Sequence, residues 1–189
     1  MKTRTLAFVL SSILLTSCTF TPHEVAITAA APSTPSSVGK GVTLALQVID
    51  DRDDVVVGQR GAGMIGADIT VKDIIPALER ELKRGLEAKG FTAVSTRSNT
   101  DTKFKARLRA FKFFIETGFW SGAENTSVVI NVEADKRGKD FERNYRFNTE
   151  ERVFAVPTGT TIDEKLNAAL SEILAKIMLD EELMNFLAQ

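Results

Sequence analysis

The chain has 189 residues, 43% of them hydrophobic and 26% charged, which suits one globular domain with appendages. Its formal net charge of −1 supplies no basic footprint of the kind nucleic-acid binding needs. A single cysteine, Cys18, excludes an internal disulfide and a cysteine-built metal site, and a single histidine, His23, leaves acid–base chemistry to carboxylates, Lys and Tyr.

Residues 1–4 carry Lys2 and Arg4, and residues 6–15 form a short apolar run. That run is too short to span a bilayer, which takes roughly 20 apolar residues. Basic start, short apolar run and small residues together predict a secretory signal peptide over residues 1–17. Without it, 22 basic residues face 25 acidic ones.

Leu15-Thr16-Ser17-Cys18 resembles the bacterial lipobox. The resemblance implies a diacylglyceryl group on the Cys18 sulfur, cleavage before Cys18 and acylation of the new amine. Two or three acyl chains anchor stably, at roughly 0.8 kcal/mol per buried CH₂. Thr rather than Asp at residue 19 implies the outer membrane under the enterobacterial sorting rule. Residues 18–40 then read as a lipidated cysteine and flexible tether, rich in Thr, Ala, Pro and Ser, with His23 solvated within it. About 20 such residues reach at most roughly 70 Å when stretched.

The domain is expected over residues 41–189. Apolar residues at 42, 44, 46 and 48 predict a first strand, and a loop rich in Asp and Gly follows over 50–69. A helix over 73–89 carries the stripe Ile74, Ile75, Leu78, Leu82 and Leu86, with Asp73 as N-cap. A short strand over 91–95, a half-exposed strand over 103–115 and a hairpin loop over 116–125 come next. Strands follow around 128–134 and 141–153, joined by a turn at 137–140. A second helix spans 161–178, with Thr161 and Glu164 as a capping box, and Asp180 opens a short third helix. These elements predict an α+β fold: two long helices on one face of a mostly antiparallel sheet of four to five strands, plus a short C-terminal helix.

Chemical motifs are few. Gly61-Ala62-Gly63-Met64-Ile65-Gly66 matches G-x-G-x-x-G, but eleven residues separate it from the first strand and further residues from the helix. A dinucleotide site needs both junctions to be direct, so no nucleotide and no cofactor are expected. Asp50-Asp51-Arg52-Asp53-Asp54 lacks calcium-loop spacing and contains a cation, so no metal is expected. With His23 placed in the tether, the domain has no Ser-His-Asp set and no catalytic residue stands out. Phe119-Trp120, flanked by Gly118 and Gly122 at a predicted hairpin tip, is a candidate contact surface.

Several short motifs occur in a fixed order: Cys18 after its lipobox, Val48-x-Asp50-x-Arg52, Gly58-x-Arg60, Gly63-x-x-Gly66-Ala67-x-Ile69, Asn144-Tyr145-Arg146, and Leu166-Asn167-x-Ala169-Leu170-Ser171 through Asp180 and Phe186. On these the chain resembles the YajG-type lipoproteins, a family lacking an established activity. The resemblance makes 50–69 the expected working surface, with Asp50, Arg52, Arg60, Gly63 and Trp120 as candidate interaction residues. Arg52 and Arg60 would anchor the acidic turn or bind an anionic partner.

The expected function is a non-catalytic binding or scaffolding module, lipid-anchored in the outer membrane and facing the periplasm, with an envelope protein as candidate partner. An accessory subunit of an envelope lipid or lipopolysaccharide transport machine is the alternative, suggested by layout. A cell-envelope hydrolase is the third.

Overall fold

The computed structural model describes residues 21–62, 65–95, 98, 100–117, 122–154 and 157–189. In chain order the elements are β1 (His23–Glu24), β2 (Thr43–Asp50), β3 (Val56–Ala62), β4 (Ile65–Thr70), α1 (Ile74–Ala88), β5 (Thr92–Ser95), β6 (Thr102–Thr117), β7 (Gly122–Lys136), β8 (Lys139–Val153), α2 (Gly159–Leu179) and α3 (Glu181–Ala188).

The expected sheet of four to five mostly antiparallel strands is wrong. Eight strands form one mixed sheet, in which β1–β4, β2–β5, β2–β6 and β3–β6 pair in parallel. β3–β4, β6–β7 and β7–β8 are antiparallel. Three strands were missed: β1 in the supposed tether, and β3 and β4 in the supposed loop. The helical crossover from β2 to β5 forces parallel pairing, which an antiparallel meander does not contain.

β6 is the spine. β7 runs along one of its edges for the whole length. The other edge serves two strands in turn: β2 against Lys103 to Leu108, then β3 at Gly58↔Phe113. The register shifts between Leu108 and Ala110, where β2 gives out. This bulge changes which parity faces inward. Phe104, Ala106 and Leu108 are buried before it, Phe111 and Phe113 after it. Strict period-two reading of 103–115 therefore fails halfway along. At the far hairpin, Arg137 (φ 53°) and Gly138 (φ 78°) make the two-residue turn that right-handed strand twist favours.

Ile74, Leu78, Leu82 and Leu86 of α1 are fully buried and recur every fourth residue. α1 lies against β2 and β5, and α2 against β7 and β8. Both helices share one core with Leu44, Phe104, Ile130 and Val132. α2 begins earlier than expected. Thr158, not Thr161, is its cap, accepting the Thr161 N–H at 3.2 Å. Asp180 caps α3 through the Leu183 N–H at 3.1 Å.

The tether reading of residues 18–40 also needs correction, because the chain is docked from residue 23 onward. Val25, Ala29 and Ala31 are buried. The Asn167 carboxamide on α2 brackets the segment. Its Oδ1 accepts from the Thr28 and Ala29 amides at 2.7 and 2.8 Å, and its Nδ2 donates to the Ala26 and Asp163 carbonyls, both at 2.8 Å. Ser171 Oγ accepts from Ala30 N at 3.1 Å, and Arg84 donates to the Ala31 carbonyl at 2.8 Å. His23 is not a solvated tether residue: its Nε2 lies 2.7 Å from Asp163 Oδ1. Composition suggested disorder, but a Pro/Ala-rich strand of chain needs little apolar area when a partner satisfies its amides one by one.

Two outcomes follow from these contacts. N167A should cost about 2–3 kcal/mol, because the buried Ala29 amide loses its acceptor. Hydrogen exchange should then rise first over residues 24–31; unchanged protection there would contradict the bracketing role. G58A should destabilise more, since a Cβ at residue 58 would sit 1.6 Å from the Phe113 carbonyl oxygen. In that variant, exchange should increase over 56–70 while 124–150 keeps its protection.

Candidate functional site

The expected surface at 50–69 divides into parts with different roles. Asp50 ends β2, and the chain then skirts the β6 bulge before β3 resumes along the same edge. Across that gap Arg109, the bulged residue, reaches Asp51 at 2.5 Å. Asp54 Oδ1 accepts from Val56 N at 2.9 Å, a local turn that starts β3.

Arg52 folds back on Asp50 as a two-pronged pair, with Nε and Nη2 each 2.7 Å from a carboxylate oxygen. The Arg52 side chain is 5% exposed, and its Nη1 is buried without a hydrogen-bond partner. The hydrogen bond from Arg52 holds the Asp50 carboxyl below its ordinary 3.8. Beside them a shallow cavity of about 300 Å³ is lined by Arg52, Asp53, Asp54, Gly58, Lys112 and Phe114, among others. Asp53 and Asp54 on the rim repel anions. Arg52 thus ties the acidic turn back to Asp50.

The remaining candidates do not gather here. Arg60 sits in β3 opposite Ala67, farther along the strand. Gly63, Trp120, Cys18 and the lipobox residues Leu15, Thr16 and Ser17 lie outside the described residues. Of the glycines in this stretch, Gly58, Gly61 and Gly66 belong to paired strands, Gly61 facing Gly66. No group of His, Cys, Asp and Glu among the described residues has metal-binding geometry.

Sequence reasoning missed a second polar cluster, where β8 meets the α2–α3 junction. Asp180 Oδ2 accepts from Tyr145 Oη and Arg143 Nη1, each at 2.5 Å, and Arg143 also pairs with Glu182. Burial, then the bond to Asp180, pushes the Tyr145 phenol upward. Burial works to raise the Asp180 carboxyl, but hydrogen bonds from Tyr145, the Leu183 amide and Arg143 outweigh it and hold it low. Lys165 joins a buried Glu124 at 2.6 Å to Glu151 at 2.8 Å. The docking of residues 26–29, by contrast, had a signal in the sequence: Asn167, a polar residue within the apolar stripe Ile162, Leu166, Leu170. The motifs Val48-x-Asp50-x-Arg52, Asn144-Tyr145-Arg146 and Leu166 through Ser171 thus mark fastenings of the fold.

D50A should cost about 2 kcal/mol, below the range for a fully buried pair because Asp50 keeps solvent contact. With the Asp50 carboxyl depressed in the folded state, its contribution is complete at neutral pH. It is lost as pH falls below the ordinary value of 3.8. Acid melting curves of wild type and D50A should converge there; parallel curves would show that the pair contributes nothing.

Among curated proteins, none matches the sequence. Solved structures similar in overall arrangement include a Xanthomonas campestris protein of family DUF330, at 12% identity and TM-score 0.48, covering 88% of this chain and 93% of that one. A minor lipoprotein from Acinetobacter baumannii matches at 14% identity and TM-score 0.42, covering 72% and 88%. A Helicobacter pylori protein described as a putative neuraminyllactose-binding hemagglutinin homolog matches at 10% identity and TM-score 0.45, covering 86% and 96%. At that similarity no property passes from those proteins to this chain, and none of the comparisons names the YajG-type group. A family model described as uncharacterized lipoprotein matches residues 29–188, and the chain belongs to that lipoprotein family.

Proposed function

We propose that the protein is a lipoprotein held in the outer membrane by acylated Cys18, working on the periplasmic side as a non-catalytic binding or scaffolding module. Family membership supports the lipid anchor in general terms. No helix among the described residues is long and apolar enough to cross a membrane. The placement of the anchor at Cys18 rests on the lipobox Leu15-Thr16-Ser17 before it.

The observation that carries the reading furthest is the docking of residues 23–31 onto α1 and α2. Only five residue steps separate Cys18 from His23, whose ring is already bonded to Asp163. Five steps span roughly 17 Å at most. The body is therefore leashed close to its bilayer, within reach of envelope partners.

C18A tests this. Wild type should carry acyl mass on residue 18 and co-sediment with outer membrane. C18A should lose the acyl mass and leave the outer-membrane fraction, as an uncleaved precursor or a soluble form. A C18A protein of mature size that still fractionates with outer membrane would refute the anchor. Crosslinking in intact cells from the turn at Asp53, before β3, should recover a discrete envelope partner; a smear of abundant proteins would count against a binding module.

A further inference from the structure

The sheet has a notch. β2 runs along one edge of β6 as far as Asp50↔Leu108, and the Asp51 N–H adds one more bond, to the Leu108 carbonyl at 3.0 Å. β3 takes up the same edge only at Gly58↔Phe113. Between them Ala110, Phe111 and Lys112 are matched to β7 on one side and to no strand on the other. From Leu108 to Phe113 is about 16 Å at roughly 3.3 Å per residue, room for about three residues of extended chain. The joining turn does not fill this space. Beyond the bond from Asp51, residues 51–55 make no backbone hydrogen bond to β6. The cavity of about 300 Å³ opens between residues 52–54 of that turn and residues 110–114 of β6.

A stretch of sheet edge left unpaired is a template for another chain. A buried donor lies here too. The Arg52 side chain, 5% exposed, lines the cavity, and with Nε and Nη2 on Asp50 its Nη1 is left buried without a partner. Buried donors seldom stay unsatisfied, so the notch calls for an acceptor. That acceptor is uncharged, because Asp50 already neutralises Arg52, and on the rim Asp53 and Asp54 outnumber Lys112. A backbone carbonyl meets both conditions. An extended peptide supplies one at every residue, together with the N–H groups that an open strand edge pairs with. The same rim charge favours basic side chains on the peptide. Phe114, 41% exposed, lines the cavity, and Val55 of the neighbouring turn is 58% exposed, so apolar side chains between the basic ones have surface to cover.

We infer that the notch between β2 and β3 is a peptide-binding site. It takes an extended segment of a partner protein, with basic and apolar residues in alternation, as a short strand beside Ala110, Phe111 and Lys112. This rests on the binding-module reading above and gives it a place and a partner chemistry.

Two acetylated and amidated peptides serve as probes, Lys-Val-Lys-Val-Lys and Glu-Val-Glu-Val-Glu, each titrated to millimolar concentration into the isotope-labelled full protein in detergent micelles. The basic peptide should shift the backbone amide resonances of Gly58, Ala110, Phe111 and Lys112 saturably and slow hydrogen exchange at the last three, leaving β8 unmoved. D53K, at an exposed position, should weaken the basic peptide by roughly tenfold and strengthen the acidic one. Shifts elsewhere in the sheet, or none, overturn the notch as a peptide site. If crosslinking from Asp53 still recovers a discrete envelope partner, the binding module then stands without it; if it recovers only a smear, both readings fall. Equal affinity for the two peptides, or no effect of D53K, overturns the basic-peptide assignment. Shifts at these amides that grow with protein concentration alone make a second copy the occupant and overturn a separate partner.

Discussion

The Asn167 carboxamide is the contact on which the rest of the architecture turns. It uses both its acceptor and its donor atoms on backbone groups, two amides and two carbonyls, and so closes a stretch of chain that would otherwise be loose. Side-chain amides fit this task because one group both donates and accepts. Glu81 adds a second clasp: its Oε2 accepts from the Ala31 amide at 3.3 Å and lies 2.6 Å from Arg84. With both in place the two long helices and the incoming chain form one body. That is what orders a stretch of chain whose composition reads as a loose tether.

Much of the helical layer was legible from sequence because helices announce themselves through local spacing. Leu78, Leu82 and Leu86 mark their own face, and Asp180 its own cap. The sheet was less legible because its pairing is set by residues far apart. Whether β2 lies beside β5, β6 or both depends on the path through α1, which no local pattern encodes. The bulge near Arg109 then reverses the inward parity of β6, so that Phe111 and Phe113 seem out of phase with Phe104.

The stretch 56–70 was misread for a different reason. Glycine usually weakens a strand, so four glycines argue for a loop. Here Gly58 is needed because β3 passes so close to β6 that no side chain fits between them. The glycine that spoils the local signal is the one that permits the tertiary contact. The same holds for residues 23–31, where composition spoke for disorder and Asn167, more than a hundred residues away, decided otherwise. At the candidate site, Arg52 was legible as an anchor of the acidic turn because it sits within that turn, whereas Arg60 is placed farther along β3. Arg109–Asp51 and Tyr145–Asp180 were not found, because sequence carries no trace of partners that only folding brings together.

β8 pairs with β7 alone, so among the described strands it leaves a fifteen-residue edge open. Molecules tethered to a surface collide within a plane, where crowding is severe and a free strand edge invites sheet-to-sheet stacking into fibrils. β8 carries Glu142, Arg143, Arg146, Glu150, Glu151 and Arg152 along its length. Neighbouring copies brought side by side would have to strip water from each of these charges before their backbones could zip together. That desolvation cost works against edge-to-edge pairing where neighbours are densest.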